Sequence, residues 1–340
     1  MKSFILILLF PVTAATHLPA RTNQLDQTTN SASPVPSSNE AIELEYAKVM
    51  EADDAAQTEV DQWIRDNEEF VAKGAGLSKA QMKQRVKERL ESVRKLYEDF
   101  LLRHPKHAQA HIAFGSFLND LEEESAARKE WETAVELNPK NPAPYNNLAN
   151  LFAETGPITN AFTYYAKASE LNPNEPLYYH NLATAVHVYR KDAMQFYHMA
   201  EQQVFAKTLE LYNKALKLDP TNFPLATDLA QTYYFLKPLR ADEALQAWTN
   251  SLRIAHDAVE REGVYLHMAR VKLAAGRFAE ARAQTIAVTN PMYADLRKTL
   301  MGNIDKQEAE AKTNAAPANP KLEVRNPNES KRTDSQTERQ

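Results

Sequence analysis

The chain has 340 residues, enough for one sizeable core or a repeat array, and carries a formal net charge of −5 at pH 7. Only 7 glycines stand against 18 prolines, which argues against α/β nucleotide folds, whose phosphate loops need glycine. Cysteine is absent, so disulfide frameworks, cysteine nucleophiles and thiolate metal sites are removed, and the acidic balance offers nucleic acid no basic footprint.

The first twenty residues, MKSFILILLFPVTAATHLPA, hold one lysine, an apolar run from Phe4 to Phe10 and small residues from Thr13. This order predicts a secretory signal peptide, with cleavage sites at Val12-x-Ala14 or Thr13-x-Ala15 and a later one at Ala20. The run is too short to span a bilayer, and no other apolar stretch approaches that length. Export to a periplasm or to the cell exterior is the expectation, with no stable membrane span after cleavage and an uncleaved N-terminal anchor as the alternative. Residues 21–39, RTNQLDQTTNSASPVPSSN, are too polar to bury a core and read as a disordered linker.

Helical pattern begins near Glu40. Val49, Val60, Trp63 and Ile64 belong to one long helix that Gly74 and Gly76 break. Ser78, with Gln81 three residues on, is placed to cap a second helix whose apolar stripe includes Leu90, Val93, Tyr97 and Phe100. The stretch from Ala108 to Pro139 then implies two short helices. The first carries Ile112, Phe114, Phe117 and Leu118 on one face, and the second Ala127, Trp131, Ala134, Val135 and Leu137. Asn138-Pro139 stops the second helix, because proline lacks the donor and disfavours a helical residue before it.

The same arrangement recurs. Pro105, Pro139 and Pro173 are evenly spaced, since 139 − 105 = 34 and 173 − 139 = 34. The next closing proline is Pro220, and 220 − 173 = 47, an excess of 13 that falls near residues 190–202. That segment lacks glycine and proline and keeps a helical period, so it predicts a hairpin whose helices are both lengthened, or whose second helix begins about three turns early, with Phe196, Tyr197, His198 and Met199 near its tip. A fourth unit contains Leu229-Ala230, Tyr233, Ala244, Trp248 and Ser251, with Pro238 fixing its bend and Asp242 expected as a helix cap. A fifth contains Tyr265, Met268-Ala269, Gly276, Phe278, Ala281 and Val288. A last helix over 291–312 has Met292, Tyr293, Leu296, Leu300 and Ile304 on one side and charges on the other, and residues 313–340 read as a disordered tail.

A 34-residue period of paired helices is the signature of the tetratricopeptide repeat, and the sequence resembles that family closely. The family's pattern is a large residue, Leu-Gly, an aromatic, Ala, an aromatic, Ala and Pro. It falls on His111, Phe114-Gly115, Leu118, Ala127, Trp131, Ala134 and Pro139 in the first full unit. In the second it falls on Tyr145, Leu148-Ala149, Phe152, Ala161, Tyr165, Ala168 and Pro173. The resemblance implies an all-α, right-handed solenoid of about five hairpins with an atypical N-terminal hairpin (residues 40–105) and a C-terminal capping helix, the repeats spanning 106–290.

No catalytic constellation stands out: there is no phosphate loop, no G-x-S-x-G elbow and no H-E-x-x-H. His111 occupies a packing position, and His180 and His187 lie two helical turns apart, too far to chelate one ion unaided. No metal or cofactor is expected. The resemblance implies instead that the first helix of each unit lines a concave groove for a protein or peptide partner. Its polar positions here are Asn146, Asn150, His180, Thr184, His187, Thr227, Gln231 and Arg270, with Phe196, Tyr197 and His198 of the insertion as a second contact. Ile112, Asn146 and His180 stand where family members that grip a C-terminal carboxylate begin their set of lysines, so that clamp is not expected. The reading is a non-catalytic scaffold or adaptor. An accessory subunit or enzyme acting on envelope polymers and a structural tether are the alternatives.

Overall fold

The computed structural model describes residues 38–72 and 74–315; the expected signal peptide, linker residues 21–37 and tail residues 316–340 lie outside the described residues. Fourteen α-helices and no strands occur among the described residues. The N-terminal hairpin pairs α1 (Ser38–Ala72) with α2 (Lys79–Arg103), so helix already starts within the last two residues of the expected linker. At 1.5 Å per residue α1 is about 52 Å long. Val49, Ala56 and Val60 of α1 face Leu90, Val93, Tyr97 and Phe100 of α2 in one buried cluster. The turn between them is held by Asn67, whose side chain accepts from Leu77 N at 2.6 Å and donates to Leu77 O at 3.1 Å. Gly74 has φ 78°, a left-handed value at which a side chain would be strained. Ser78 and Gln81 form the expected capping box.

Five further hairpins follow. They are α3 (Ala108–Asp120) with α4 (Glu124–Leu137), α5 (Ala143–Thr155) with α6 (Ile158–Leu171), and α7 (Pro176–Val188) with α9 (Glu201–Leu218). The last two are α10 (Phe223–Thr232) with α11 (Ala241–Ile254), and α12 (Ala258–Ala274) with α13 (Phe278–Ile286). Helices α4, α6 and α9 end alike: Asn138, Asn172 and Asp219 hold near-identical backbone angles (φ −141°, −135° and −131°; ψ 80°, 88° and 79°), each forced out of the helical region by the following proline. Trp131, Tyr165, Tyr212 and Trp248 occupy equivalent buried places on the second helices. Gly115 faces the first of these, and a Cβ there would stand 2.6 Å from Cδ1 and Nε1 of Trp131.

The insertion departs from expectation. Helix α7 keeps its 13 residues, and the extra segment forms a separate short helix, α8 (Arg190–Phe196), which turns back onto the preceding unit. Phe196 and Tyr197 lie 5.4 and 5.7 Å from the Phe162 ring of α6, and Tyr189 OH donates to Ala153 O at 2.6 Å. A lengthened hairpin would leave these rings in water; folding back shelters Ala193 fully and Tyr197 partly. His198 makes the reversal with φ 53°. The cap of α11 also differs. The chain enters that helix at Ala241, so Asp242 sits in its first turn and pairs with Arg277 at 2.5 Å instead of capping.

A 3-10 turn, Pro291–Tyr293, leads into α14 (Ala294–Ala315), which closes the array. Tyr293, Leu300 and Ile304 are buried on α13 and α12, while Met292, placed in the turn before the helix, is 70% exposed and leaves the apolar stripe. Glu262 of α12 accepts from the backbone N–H groups of Thr289 and Asn290 at 2.8 and 2.6 Å, which fixes the entry angle of α14. No helix among the described residues is long and apolar enough to cross a membrane.

Candidate functional site: the inner helices

The first helices of successive hairpins stand side by side, and polar side chains link each to the next. Asn147 donates to Ser116 Oγ at 3.3 Å, Asn181 donates to Asn146 Oδ1 at 3.0 Å, and His180 Nε2 lies 2.8 Å from Asp228 Oδ2. The aromatics of three second helices, α4, α6 and α9, reach the same row from behind. Trp131 Nε1 donates to Ile112 O at 3.2 Å, Tyr165 OH donates to Asn150 Oδ1 at 2.6 Å, and the Tyr212 and Thr184 hydroxyls lie 3.0 Å apart. Burial pushes the Tyr165 and Tyr212 hydroxyls well above the usual phenol range, so they stay protonated and can donate.

These bonds divide the eight groove residues of the sequence reading. Asn146, Asn150, His180, Thr184 and Thr227, the last donating to Pro224 O at 2.7 Å, are engaged within the fold. Three are open. His187 Nδ1 is buried without a hydrogen-bond partner, its ring edge-on to Phe235 at 4.9 Å. Desolvation, with Arg190 adding to it against the pull of Asp228, lowers its pKa, which keeps the ring neutral around that buried, unpartnered nitrogen. The Gln231 side chain makes no hydrogen bond among the described residues. Arg270 has no carboxylate partner among the described residues; its guanidinium lies 4.9 Å above the Tyr234 ring.

A buried stack positions that arginine. The Tyr234 hydroxyl is 3.1 Å from both Nδ1 and the carbonyl oxygen of His267, and the His267 ring lies flat on Trp248 at 4.3 Å. Burial, with Arg270 nearby, pushes the His267 pKa down to about 3. The ring is therefore neutral, and the layer carries no charge of its own beneath the guanidinium.

The histidines nearer the N-terminus are each tied to a carboxylate. His104 lies 3.1 Å from Glu45, His107 3.2 Å from Glu43 and His111 2.5 Å from Glu130. They fasten the start of α1 to the α2–α3 turn and α3 to α4. Among the described residues no three histidine, aspartate or glutamate side chains are grouped to hold a metal.

In the insertion, Phe196 and Tyr197 are drawn onto Phe162, and Lys207 sits 4.6 Å from the Tyr197 ring; His198 is exposed. Asn147, Asn181 and Asp228, the linking residues, escaped the sequence reading. They carry a signal of their own, polar residues at the closing-proline intervals: 181 − 147 = 34 and 228 − 181 = 47. The polar face of α14 was also missed, because it reads as ordinary solvated surface.

Stacked hairpins with one row of first helices define an α-solenoid, a class that presents an extended inner surface. Residues 143–175, covering α5 and α6, match the tetratricopeptide repeat family model. That segment is a tetratricopeptide repeat, and hairpins of the same build precede and follow it. Solved structures with a similar course include the C-terminal part of a TPR repeat-containing protein from Cytophaga hutchinsonii (15% identity, 73% of this chain and 98% of that one, TM-score 0.49). Others are YrrB, described as a TPR protein with an unusual peptide-binding site (12%, 64% and 97%, TM-score 0.46), and PilF of Pseudomonas aeruginosa (17%, 76% and 99%, TM-score 0.44). No curated protein matches the sequence.

Proposed function

We propose that this chain is a non-catalytic protein-interaction scaffold, exported from the cell interior, that holds a partner segment along its inner helices from α7 onwards. The observation that carries the location is the uneven hydrogen bonding of the inner face. Groove polar groups on α5 are engaged by the fold itself, whereas the Gln231 and Arg270 side chains, on successive inner helices, have no hydrogen-bond or carboxylate partner among the described residues, and His187 beside them keeps a buried nitrogen unpartnered. Amide and guanidinium groups without partners can register the backbone and side chains of an extended peptide. The alternating apolar surface there, Val188 exposed and Phe235 half-buried, would receive side chains between those contacts.

The test is capture of a native partner by the full chain. A His187→Ala/Gln231→Ala double variant is expected to lose the partner, while Asn150→Ala retains it at comparable helix content. Undiminished capture by the double variant would overturn the assignment. Export is tested separately by the N-terminal sequence of the mature protein, expected to begin after Ala14, Ala15 or Ala20.

A further inference from the structure

Helix α14 stands beyond α12, and a cavity of about 510 Å³ separates the two, floored by Leu273, Ala274 and Phe278. Its far wall is a polar stripe on α14: Asn303, Lys306, Gln307, Glu310 and Asn314, spaced i, i+3, i+4, i+7 and i+11 and so on one helical face. None of these five side chains has a hydrogen-bond or ion-pair partner among the described residues. The neighbouring charges on α13 and α14 are satisfied: Arg282 binds Asp305 and Glu308 at 2.6 and 2.9 Å, and Lys312 binds Glu308 at 2.8 Å. Lys306 and Glu310 carry opposite charges one turn apart, so the wall fits an occupant with one charge of each sign in the reverse order.

The sequence that leaves α14 carries those features. The helix ends at Ala315, next to Asn314 of the channel wall, and Ala-Pro-Ala-Asn-Pro then leads to Lys321-Leu322-Glu323-Val324-Arg325. Pro317 cannot continue a helix, and Asn319-Pro320 is a turn-initiating pair. Over residues 316–340 Leu322 and Val324 are the only large aliphatic or aromatic side chains, and they alternate with charges at the two-residue period of an extended strand. A strand returning from Ala315 along α14 passes Glu310 before Lys306, and this segment presents Lys321 before Glu323. The spacings agree too. Glu310 and Lys306 are four helical residues or about 6 Å apart, and Lys321 and Glu323 are two extended residues or about 6.6 Å apart. The link over 316–320 reaches up to about 17 Å, more than the roughly 8 Å back from position 315 to position 310.

We propose that the α12–α14 channel is the docking site for the chain's own residues 321–325, which fold back as an intramolecular strap. Lys321 and Glu323 then meet Glu310 and Lys306 on one side of the strand. Leu322 and Val324, on its other side, cover Ala274 and Phe278. Asn303 and Gln307 are left to hydrogen-bond the strap's backbone. The short link holds the strap at a high local concentration, so contacts too weak to retain a free peptide suffice to keep it in place. Neither Gln231 nor Arg270 lines the channel, so the strap leaves the proposed partner surface open.

The test places a photo-crosslinking residue at position 307 of the full chain, at low protein concentration, and maps the products by mass spectrometry. Intramolecular crosslinks are expected to fall on residues 321–325 and not on 328–338. Leu322→Ser/Val324→Ser should lower their yield severalfold. Lys306→Glu and Glu323→Lys should each lower it about threefold at low salt, and the two together should restore it, because the exchange rebuilds the ion pair. High salt should shrink these charge effects. All of these positions are on the exposed α14 wall or beyond the last helix, so the variants leave the hairpins intact. Crosslinks spread evenly over residues 316–340, a yield indifferent to Leu322→Ser/Val324→Ser, or a charge exchange that fails to restore it overturns the proposal. Crosslinks to a second copy, rising with concentration, or to another protein overturn it as well, since the channel then belongs to a different occupant. Partner capture by His187→Ala/Gln231→Ala bears on the inner helices alone, so either reading can fail without the other.

Discussion

Lowering the pH should weaken the array through His267, and the size of the effect follows from where that ring lies. It is buried between Trp248 and Tyr234, and its pKa falls from an ordinary 6.5 to about 3. A lowered histidine pKa means the unfolded chain binds the proton and the folded chain does not. Stability is therefore full above pH 6.5 and is lost as the pH falls through the window down to 3. Between pH 7.5 and 5.5 this single group should cost about 1.4 kcal/mol. His187, also lowered, acts in the same direction, whereas His111 is raised and opposes it: burial resists its charge, but Glu130 and the Pro105 carbonyl outweigh that. Comparing wild type with His267→Gln removes these shared contributions. Urea unfolding followed by helix ellipticity at both pH values should show the variant less stable at pH 7.5, and the gap should shrink by about 1.4 kcal/mol at pH 5.5. A gap that is unchanged or widens would refute the claim that the ring is neutral and desolvated.

Other perturbations follow from the packing. Gly115→Ala should destabilise by about 2 kcal/mol: a Cβ 2.6 Å from the Trp131 ring forces that buried indole to move, and this outweighs the roughly 1 kcal/mol gain in helix propensity. Urea midpoints would check it, and a stabilised variant would contradict it. Tyr97→Phe removes the hydroxyl that donates to Asp53 Oδ2 at 2.6 Å and should cost about 1–3 kcal/mol, read as a lower melting temperature. An unchanged melting temperature would contradict the bond. Phe162→Ala should cost about 3–5 kcal/mol and open the segment around α8 to limited proteolysis, because Phe196 and Tyr197 lose the ring they pack against. Resistance equal to wild type would show that α8 is held by something else.

The hairpin array was legible because prolines and buried aromatics recur every 34 residues in the first units and keep their order after the insertion, and Trp131, Tyr165, Tyr212 and Trp248 do occupy equivalent places. The insertion was not. Its 3.6-residue period runs on through Ala193, Val204 and Leu211, and the break comes at His198, a residue type that does not announce a left-handed backbone. Asp242 looked like a cap because the point at which a chain enters a helix after a proline turn depends on backbone geometry the residue types do not encode. The groove was legible as positions but not as chemistry. Asn146 and Gln231 look equally available in sequence, yet Asn181 engages one and nothing engages the other. Such pairing depends on the offset between neighbouring hairpins, which emerges only when they stack. The α14 stripe escaped for a related reason: charges on the outer face of a last helix become one wall of a channel only once α12 supplies the other.

The most direct test of the account places a photo-crosslinking residue in the full chain, in separate variants, at positions 150, 231 and 270. Crosslinks to a captured partner are expected from 231 and 270 and not from 150. Crosslinking from 150 alone, or equally from all three, would contradict the claim that the fold engages the groove polar groups of α5 and leaves Gln231 and Arg270 for a partner.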